Sequence, residues 1–421
     1  MARKIISTYE HSILKVGQTY NNGIVFKEEH FKELQKFHGN KEISYFKLIY
    51  NGIRLTEFVG VIQVGNLIIE VLPKADKSEV KEESEEWRKV LIGMLRAVGA
   101  FNIHAPSSSS LNVKSNFLLD LYFELFIKKV EYLFNKGLIK KYRKTEGNSL
   151  ALKGTILFGK HIQKNLTHQE RFYIKKTAYD KEHLLHQIIY KTLLLLKNIN
   201  TNVILNSRIG NLLLNFPEMN DIKVIDVTFN KITLNRKTED YRDAIEIAKL
   251  LLLNYHPDLS NGNNNVLALM FDMNLLWERF VYVSLRKNLD TNYSVTAQTS
   301  KHFWQPTING NSASIRPDIL INNKSENYVL DTKWKNLGGK NPSVNDLRQM
   351  YVYHEYYYAK KVALVYPGES GNICGNYYKT TDEHLSKKEC SVISLPVVND
   401  ITEWQESITS QIYDEWLKVN L

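Results

Sequence analysis

The chain has 421 residues, too many for one ordinary hydrophobic core and enough for two or three domains. Its 43% hydrophobic and 24% charged residues are ordinary globular proportions, so disorder is not the default reading. Fifty-five Lys and Arg against 45 Asp and Glu leave a formal charge of +10, which suits a polyanionic partner because each neutralised phosphate releases counterions, although it serves solubility equally well.

The first hundred residues read as mixed α/β. Glu29 to Phe37 predicts a short helix. Leu55 to Leu72 predicts a hairpin, because Gly65-Asn66 is a turn pair between two apolar β-forming runs and Pro73 ends the second. Glu82 to Ala100 has helical spacing through Trp87, Leu91, Leu95 and Val98. Ser107 to Ser110 is a polar connector.

A long helix is expected from Ser115, a suitable N-cap, to about Asn135, with Gly137 as its stop. Its apolar residues (Phe117, Leu118, Leu121, Leu125, Phe126, Leu133) mark it as a core element. Further helices are expected over Lys181–Lys197 and Tyr241–Leu253. Ser260 to Asn265 has nothing apolar and strong turn chemistry, so the main boundary is placed there. Three segments result: a mixed region 1–105, a largely helical region 106–260, and a C-terminal domain 261–421.

Beyond the linker the order is regular. A helix is predicted over Val266–Lys287 and a strand over Tyr293–Gln298. A hairpin of Ile315–Ile321 and Tyr328–Trp334 follows, then a helix over Val344–Lys360. Strands Val362–Tyr366 and Val392–Val397 and a closing helix Ile401–Leu417 complete an α/β sheet flanked by helices. The only cysteines, Cys374 and Cys390, form no CxxC or Cys/His cluster, which argues against a disulfide scaffold or a zinc site. Met1 to Ile6 starts basic without an apolar run of signal-peptide length, and the most apolar stretch, Ile188 to Leu196, is too short to span a bilayer. A cytoplasmic protein with no membrane partner is expected.

The C-terminal hairpin carries the chemistry. Strand periodicity puts Asp331 and Lys333 of Asp331-Thr332-Lys333 on one face. If Ile321 faces Tyr328 across the turn, Asp318 of Arg316-Pro317-Asp318 falls opposite Asp331, with Cβ atoms about 4.5–5.5 Å apart. Carboxylates that close repel unless something positive lies between them. A hard divalent cation such as Mg²⁺ fits, since it takes one or two carboxylates and keeps waters. Such an ion lowers the pKa of bound water and offsets charge on a scissile phosphate, while Lys333 supplies a point charge. Pro317 lacks a backbone donor and marks a strand entry or an edge.

Glu278, within Leu275-Leu276-Trp277-Glu278-Arg279-Phe280, is a candidate third acidic ligand, because a carboxylate among apolar residues needs a cation or an ion pair. Gln349 and Tyr353 share a helix face at i and i+4 and are candidates to orient the site or bind a phosphate, with ordinary packing as the alternative. The run Tyr351, Tyr353, Tyr356, Tyr357 and Tyr358 offers rings for base stacking, though at least half should pack into the core. Two look-alikes are set aside. Asp221-Ile222-Lys223 repeats the spacing without the context, and Gly154 to Lys160 matches GxxxxGK but continues with His161 and holds strand formers where a phosphate loop needs small residues.

These residues resemble the RecB-like branch of the PD-(D/E)xK nucleases. Other segments narrow the likeness: Phe58 to Gly65 leading to Leu72-Pro73-Lys74, Leu152-Lys153-Gly154-Thr155, Leu234-Asn235-Arg236 before Tyr241, and Phe271-Asp272-Met273-Asn274 before Trp277-Glu278. In this order, from about Phe58 to Tyr358, they are similar to McrC, the nuclease subunit of the 5-methylcytosine restriction system. The resemblance implies a PD-(D/E)xK nuclease domain over 261–421, with a mixed central sheet. It implies Mg²⁺ (Mn²⁺ as a substitute) on Asp318, Asp331 and Glu278, and catalytic roles for Lys333, Gln349 and Tyr353. It also implies cleavage of modified double-stranded DNA together with a McrB-like AAA+ GTPase ring, which the N-terminal region binds and stimulates. A stand-alone repair or recombination nuclease and a non-catalytic GTPase-activating adaptor are the alternatives.

Overall fold

The computed structural model describes residues 4–20, 23–39, 45–74, 83–99, 118–256, 266–307, 310–323, 326–379, 381 and 384–418. The expected connector at Ser107–Ser110, the N-cap Ser115 with Phe117, the linker at Ser260–Asn265 and the tip of the C-terminal hairpin at 324–325 lie outside the described residues. The chain is a mixed α/β protein with several sheets. It forms two compact units, one of residues 107–269 and one that joins residues 4–106 to 270–421. No helix among the described residues is long and apolar enough to cross a membrane.

The first unit carries helices Leu118–Lys136, Leu184–Ile199, Val203–Asn215 and Arg242–Leu253. It is less helical than expected. Strand Phe172–Asp180 pairs antiparallel with both Lys141–Ser149 and Thr155–Ile156. The long pair escapes a hydrophobicity reading because, Ile174 apart, neither face is buried, and half of its text is Lys, Tyr and Thr. The GxxxxGK segment is part of this sheet: Thr155–Ile156 is strand, Phe158–Asn165 is helix, and Lys160 Nζ pairs with Glu146 at 2.7 Å. The backbone there is a strand running into a helix, and its lysine is engaged.

In the second unit the expected N-terminal hairpin forms from Phe58–Val64 and Leu67–Leu72, with Val64 opposite Leu67 across the Gly65-Asn66 turn. Strand Lys4–Tyr9 joins it in parallel along Leu67–Leu72. Helix Glu28–Gly39 and helix Glu83–Ala97 correspond to the expected ones.

The C-terminal part of this unit is a six-stranded mixed sheet in the order Ser294–Ala297, Ile319–Asn323, Glu326–Thr332, Ala359–Pro367, Leu385–Leu395, Gly371–Tyr378. The two central pairings, 326–332 with 359–367 and 359–367 with 385–395, are parallel, and the outer ones are antiparallel. A parallel neighbour requires a crossover, and helix Val344–Tyr357 supplies it. It covers one face through Met350, Tyr353 and Tyr357 against Leu320, Val329, Val362 and Leu364. Alternation turns Tyr328 to the other face, where its ring meets Trp416 edge-on. Trp277 of helix Met273–Asn288 stacks with Trp404 of helix Ile401–Ile412, and Phe280 packs against the same ring at a tilt.

Three expectations change here. The helix predicted from Val266 is a strand over Val266–Asp272 followed by a helix that begins at Met273. Asp272 makes the break, its carboxylate accepting from the amides of Asn274 and Leu275 as an N-cap. Ile315 leaves the catalytic hairpin and joins a separate ribbon of Lys301–Trp304 and Ala313–Ile315. The helix after the hairpin stops at Tyr357, because Tyr358 takes a left-handed φ of 48°.

Candidate active site

The hairpin register is the expected one: Ile321 faces Tyr328, and Ile319 faces Leu330. Asp318 lies just before the first strand and Asp331 just after Leu330 in the second, so both stand at the same end of the hairpin. Pro317 is buried immediately before strand Ile319–Asn323, which has neighbours on both sides, so it marks strand entry and not an edge. Asp318 does not stand free. Its Oδ2 accepts from the Thr332 amide at 2.7 Å and the Thr332 hydroxyl at 2.9 Å, so it grips the strand that carries Asp331.

Asp331 is 1% exposed. It shares a face with Val329, toward helix Val344–Tyr357, and there Gln349 Nε2 donates to its Oδ1 at 3.2 Å. Its Oδ2 is ion-paired with Lys333 Nζ at 2.6 Å. This oxygen is buried against the lysine ammonium. Burial, and then the charge of Asp318, push the Asp331 carboxyl well above the usual carboxylate range, outweighing Lys333. Burial works against the charge on Lys333 as well, but Asp331 and Asp318 more than offset it and keep the amine protonated.

Gln349 and Tyr353 form one relay. Gln349 Nε2 also donates to Tyr353 Oη at 2.8 Å, and Tyr353 Oη donates to the Arg316 carbonyl at 3.0 Å. Helical spacing aligns the two side chains, and the second bond ties the helix to the segment that presents Asp318. Of the aromatic run, Tyr353 and Tyr357 are buried, whereas Tyr356 and Tyr358 are exposed.

Glu278 stands slightly apart. Its Oε1 accepts from Gln298 Nε2 at 2.6 Å. Burial, followed by the charge of Asp318, raises its carboxyl above the ordinary range. Among the described residues no three His, Cys, Asp or Glu side chains gather as a ready metal site. The structure thus brings Asp318, Asp331, Lys333, Gln349 and Tyr353 together and leaves Glu278 within electrostatic reach, held by Gln298.

Sequence reading missed Thr332, Gln298 and Trp334. Thr332 is the middle of Asp-x-Lys, where spacing says nothing. Gln298, at a left-handed φ of 52°, donates its amide to the Asp318 carbonyl at 3.0 Å, and no sequence signal marks it. Trp334 follows Lys333, and its Nε1 donates to Glu10 Oε1 at 2.7 Å, so the N-terminal strand region braces the residue next to the lysine. The edge-on rings of Trp87 and Trp277 complete this support.

Comparison with known proteins places this geometry in a context. No curated protein matches the chain. Among solved structures, a chain in the refined half-complex from a tetradecameric assembly of Thermococcus gammatolerans McrB AAA+ hexamers with bound McrC is similar, with a TM-score of 0.72 and 21% identity over 98% of this chain and 100% of that one. That is a likeness of fold. A second, the cryo-EM structure of the Thermococcus gammatolerans McrBC complex, has a TM-score of 0.49 and 21% identity over 68% of this chain and 89% of that one. The family of McrBC 5-methylcytosine restriction system components matches residues 53–367, well over half of the chain. The chain belongs to that family.

Proposed function

We propose that this protein is the McrC-like nuclease subunit of a modification-dependent restriction system, with a PD-(D/E)xK site that hydrolyses phosphodiesters of modified double-stranded DNA. One observation carries the reading. Asp318 grips Thr332, the neighbour of the buried Asp331, so the two carboxylates lie close within one hairpin, and Lys333 pairs with Asp331 at 2.6 Å. Such a pair destabilises the metal-free fold, as expected of a site built for a cation with oxygen ligands.

Asp318 and Asp331 would hold Mg²⁺, with Mn²⁺ as a substitute, and Glu278, whose Oε1 is held by Gln298, would join them. When bound, the ion supplies positive charge against the phosphate and acidifies water. The protein's own residues do the rest. Lys333, held protonated, faces charge that builds on the phosphate oxygens. Gln349 fixes the rotamer of Asp331 through Oδ1, and Tyr353 fixes Gln349. Thr332 fixes Asp318.

The partner in this reading is a McrB-like AAA+ GTPase ring that recognises the modified DNA and is stimulated by this chain. Family membership supports it, as does the fold shared with a chain of an assembly of McrB AAA+ hexamers with bound McrC. Residues 1–105 are the proposed contact region, and their connection to the site through Glu10 and Trp334 gives ring engagement a route to Lys333. Purified protein with Mg²⁺, GTP, methylated DNA and its AAA+ partner should cut, and chelation should stop it. Equal cutting by an Asp331→Ala variant would end the nuclease reading.

A further inference from the structure

Beside the candidate site lies a cavity of about 580 Å³ whose lining includes Ser300, Phe303, Arg316, Gln349 and Tyr353. Gln349 and Tyr353 are the residues that hold Asp331, so the cavity adjoins the side chains that orient that carboxylate. Among the described residues its lining holds one charged side chain, Arg316, and no carboxylate. Its outer wall is the ribbon of Lys301–Trp304 and Ala313–Ile315, which has a bulge between His302 and Trp304. A bulge re-aims side chains, and here both Phe303 and Trp304 are exposed.

The helix end contributes two more exposed rings, Tyr356 and Tyr358, and Phe303 lies 5.2 Å from Tyr356 between ring centroids. Tyr358 is 83% exposed although its left-handed φ of 48° favours glycine. Packing therefore does not account for a bulky aromatic there. The ribbon is tied to the end of the helix. Tyr357 Oη donates to the carbonyls of Thr299 and Ile315 at 2.6 and 3.1 Å, and Lys301 Nζ donates to the Tyr356 carbonyl at 2.7 Å. The same Lys301 amine sits 4.8 and 5.5 Å from the centroids of Tyr357 and Tyr358.

Exposed ring faces interleaved with Lys301 and Arg316 match the chemistry of single-stranded DNA, whose bases offer open π-faces and whose phosphates need cations. A closed duplex offers base edges and phosphates but no faces. We propose that this aromatic face and its cavity hold unpaired bases of one DNA strand next to Asp331, so that the strand is locally opened where it is cut. This rests on the nuclease reading for its purpose but not for its test.

The test uses the full chain in EDTA, with a fluorescein-labelled oligothymidylate of about 15 nucleotides and a blunt duplex of the same length. Phe303→Ala and Trp304→Ala should each weaken single-strand binding about 5- to 100-fold and leave duplex binding and its salt slope unchanged. Trp304→Phe should restore most of the loss. Tyr358→Gly suits the backbone better than the native residue, so it should keep or raise the melting temperature while weakening single-strand binding. Asp221→Asn, whose carboxylate is paired with Lys191, should bind the single strand normally. Equal losses for duplex and single strand would overturn the proposal. So would unchanged DNA binding accompanied by lost binding of the AAA+ partner, which would make the face a protein interface.

Discussion

Asp221-Ile222-Lys223 and Asp331-Thr332-Lys333 have the same spacing and end in the same residue type, yet the chain uses them differently. Asp221 lies in an irregular stretch with its side chain 84% exposed, and its carboxylate takes Lys191 at 2.7 Å. The hydrogen bond from Lys191 holds it below the ordinary carboxylate range. Asp331 lies on an interior strand at 1% exposure, where burial and a second carboxylate push it the other way. The three-residue motif is therefore uninformative alone. What distinguishes the copies is whether the surroundings stabilise or oppose the negative charge, because opposed charge in a protected site is what a cation can exploit.

The comparison breaks at once if both copies tolerate substitution. With Mg²⁺, GTP, modified DNA and the AAA+ partner, Asp331→Ala should reduce cleavage by on the order of 10³-fold or more, while Asp221→Ala should leave it within about twofold. In metal-free buffer near neutral pH the sign reverses for stability. Asp331→Asn removes a disfavoured buried charge and should raise the melting temperature, by about 2–4 °C for each kcal/mol relieved. The lysines give the next effect. Lys333→Ala should cost about 10²- to 10³-fold in cleavage, with affinity for DNA measured in EDTA nearly unchanged, and Lys223→Ala should cost nothing. Gln349→Ala comes third, at about 10- to 100-fold, since it frees Asp331 without removing it. A Gln349→Glu variant as active as wild type would show that orientation by this amide is unimportant.

The carboxylate pair was legible because register follows from a turn length and a period of two, and both are written in the sequence. Glu278 was legible as an unusual carboxylate but not as a partner of Gln298, because that contact depends on a left-handed turn at a residue with no tendency toward one. The break at Asp272 was missed for a different reason. Val266 to Phe271 is apolar throughout, so periodicity cannot separate strand from helix, and the cap at Asp272 was the signal available. The ribbon at Lys301–Trp304 is wholly exposed, so it leaves no hydrophobic pattern to read.

A third carboxylate sharpens the comparison with the smallest expected effect on cleavage. Glu10 is buried like Asp331, and burial raises it to about 7. Its Oε1 accepts from the Lys74 amide at 3.0 Å and from Trp334 Nε1 at 2.7 Å, whereas Asp331 is paired with the Lys333 amine at 2.6 Å. A raised carboxyl is thus not sufficient for a metal site, and the distinguishing feature is the lysine paired with Asp331. Because the folded value exceeds the unfolded one of 4.5, the folded state holds the extra proton between pH 4.5 and about 7. The associated stability is fully present below 4.5 and lost as pH rises through 7, amounting to on the order of 3 kcal/mol. Glu10→Gln keeps both acceptor contacts and cannot titrate. In urea unfolding across pH 4.5 to 8, the gap between variant and wild type should widen in favour of the variant up to about pH 7 and then level off, while cleavage changes little. Parallel stability curves would mean that Glu10 is charged in the folded protein, and that burial alone does not set the protonation of carboxylates in this unit.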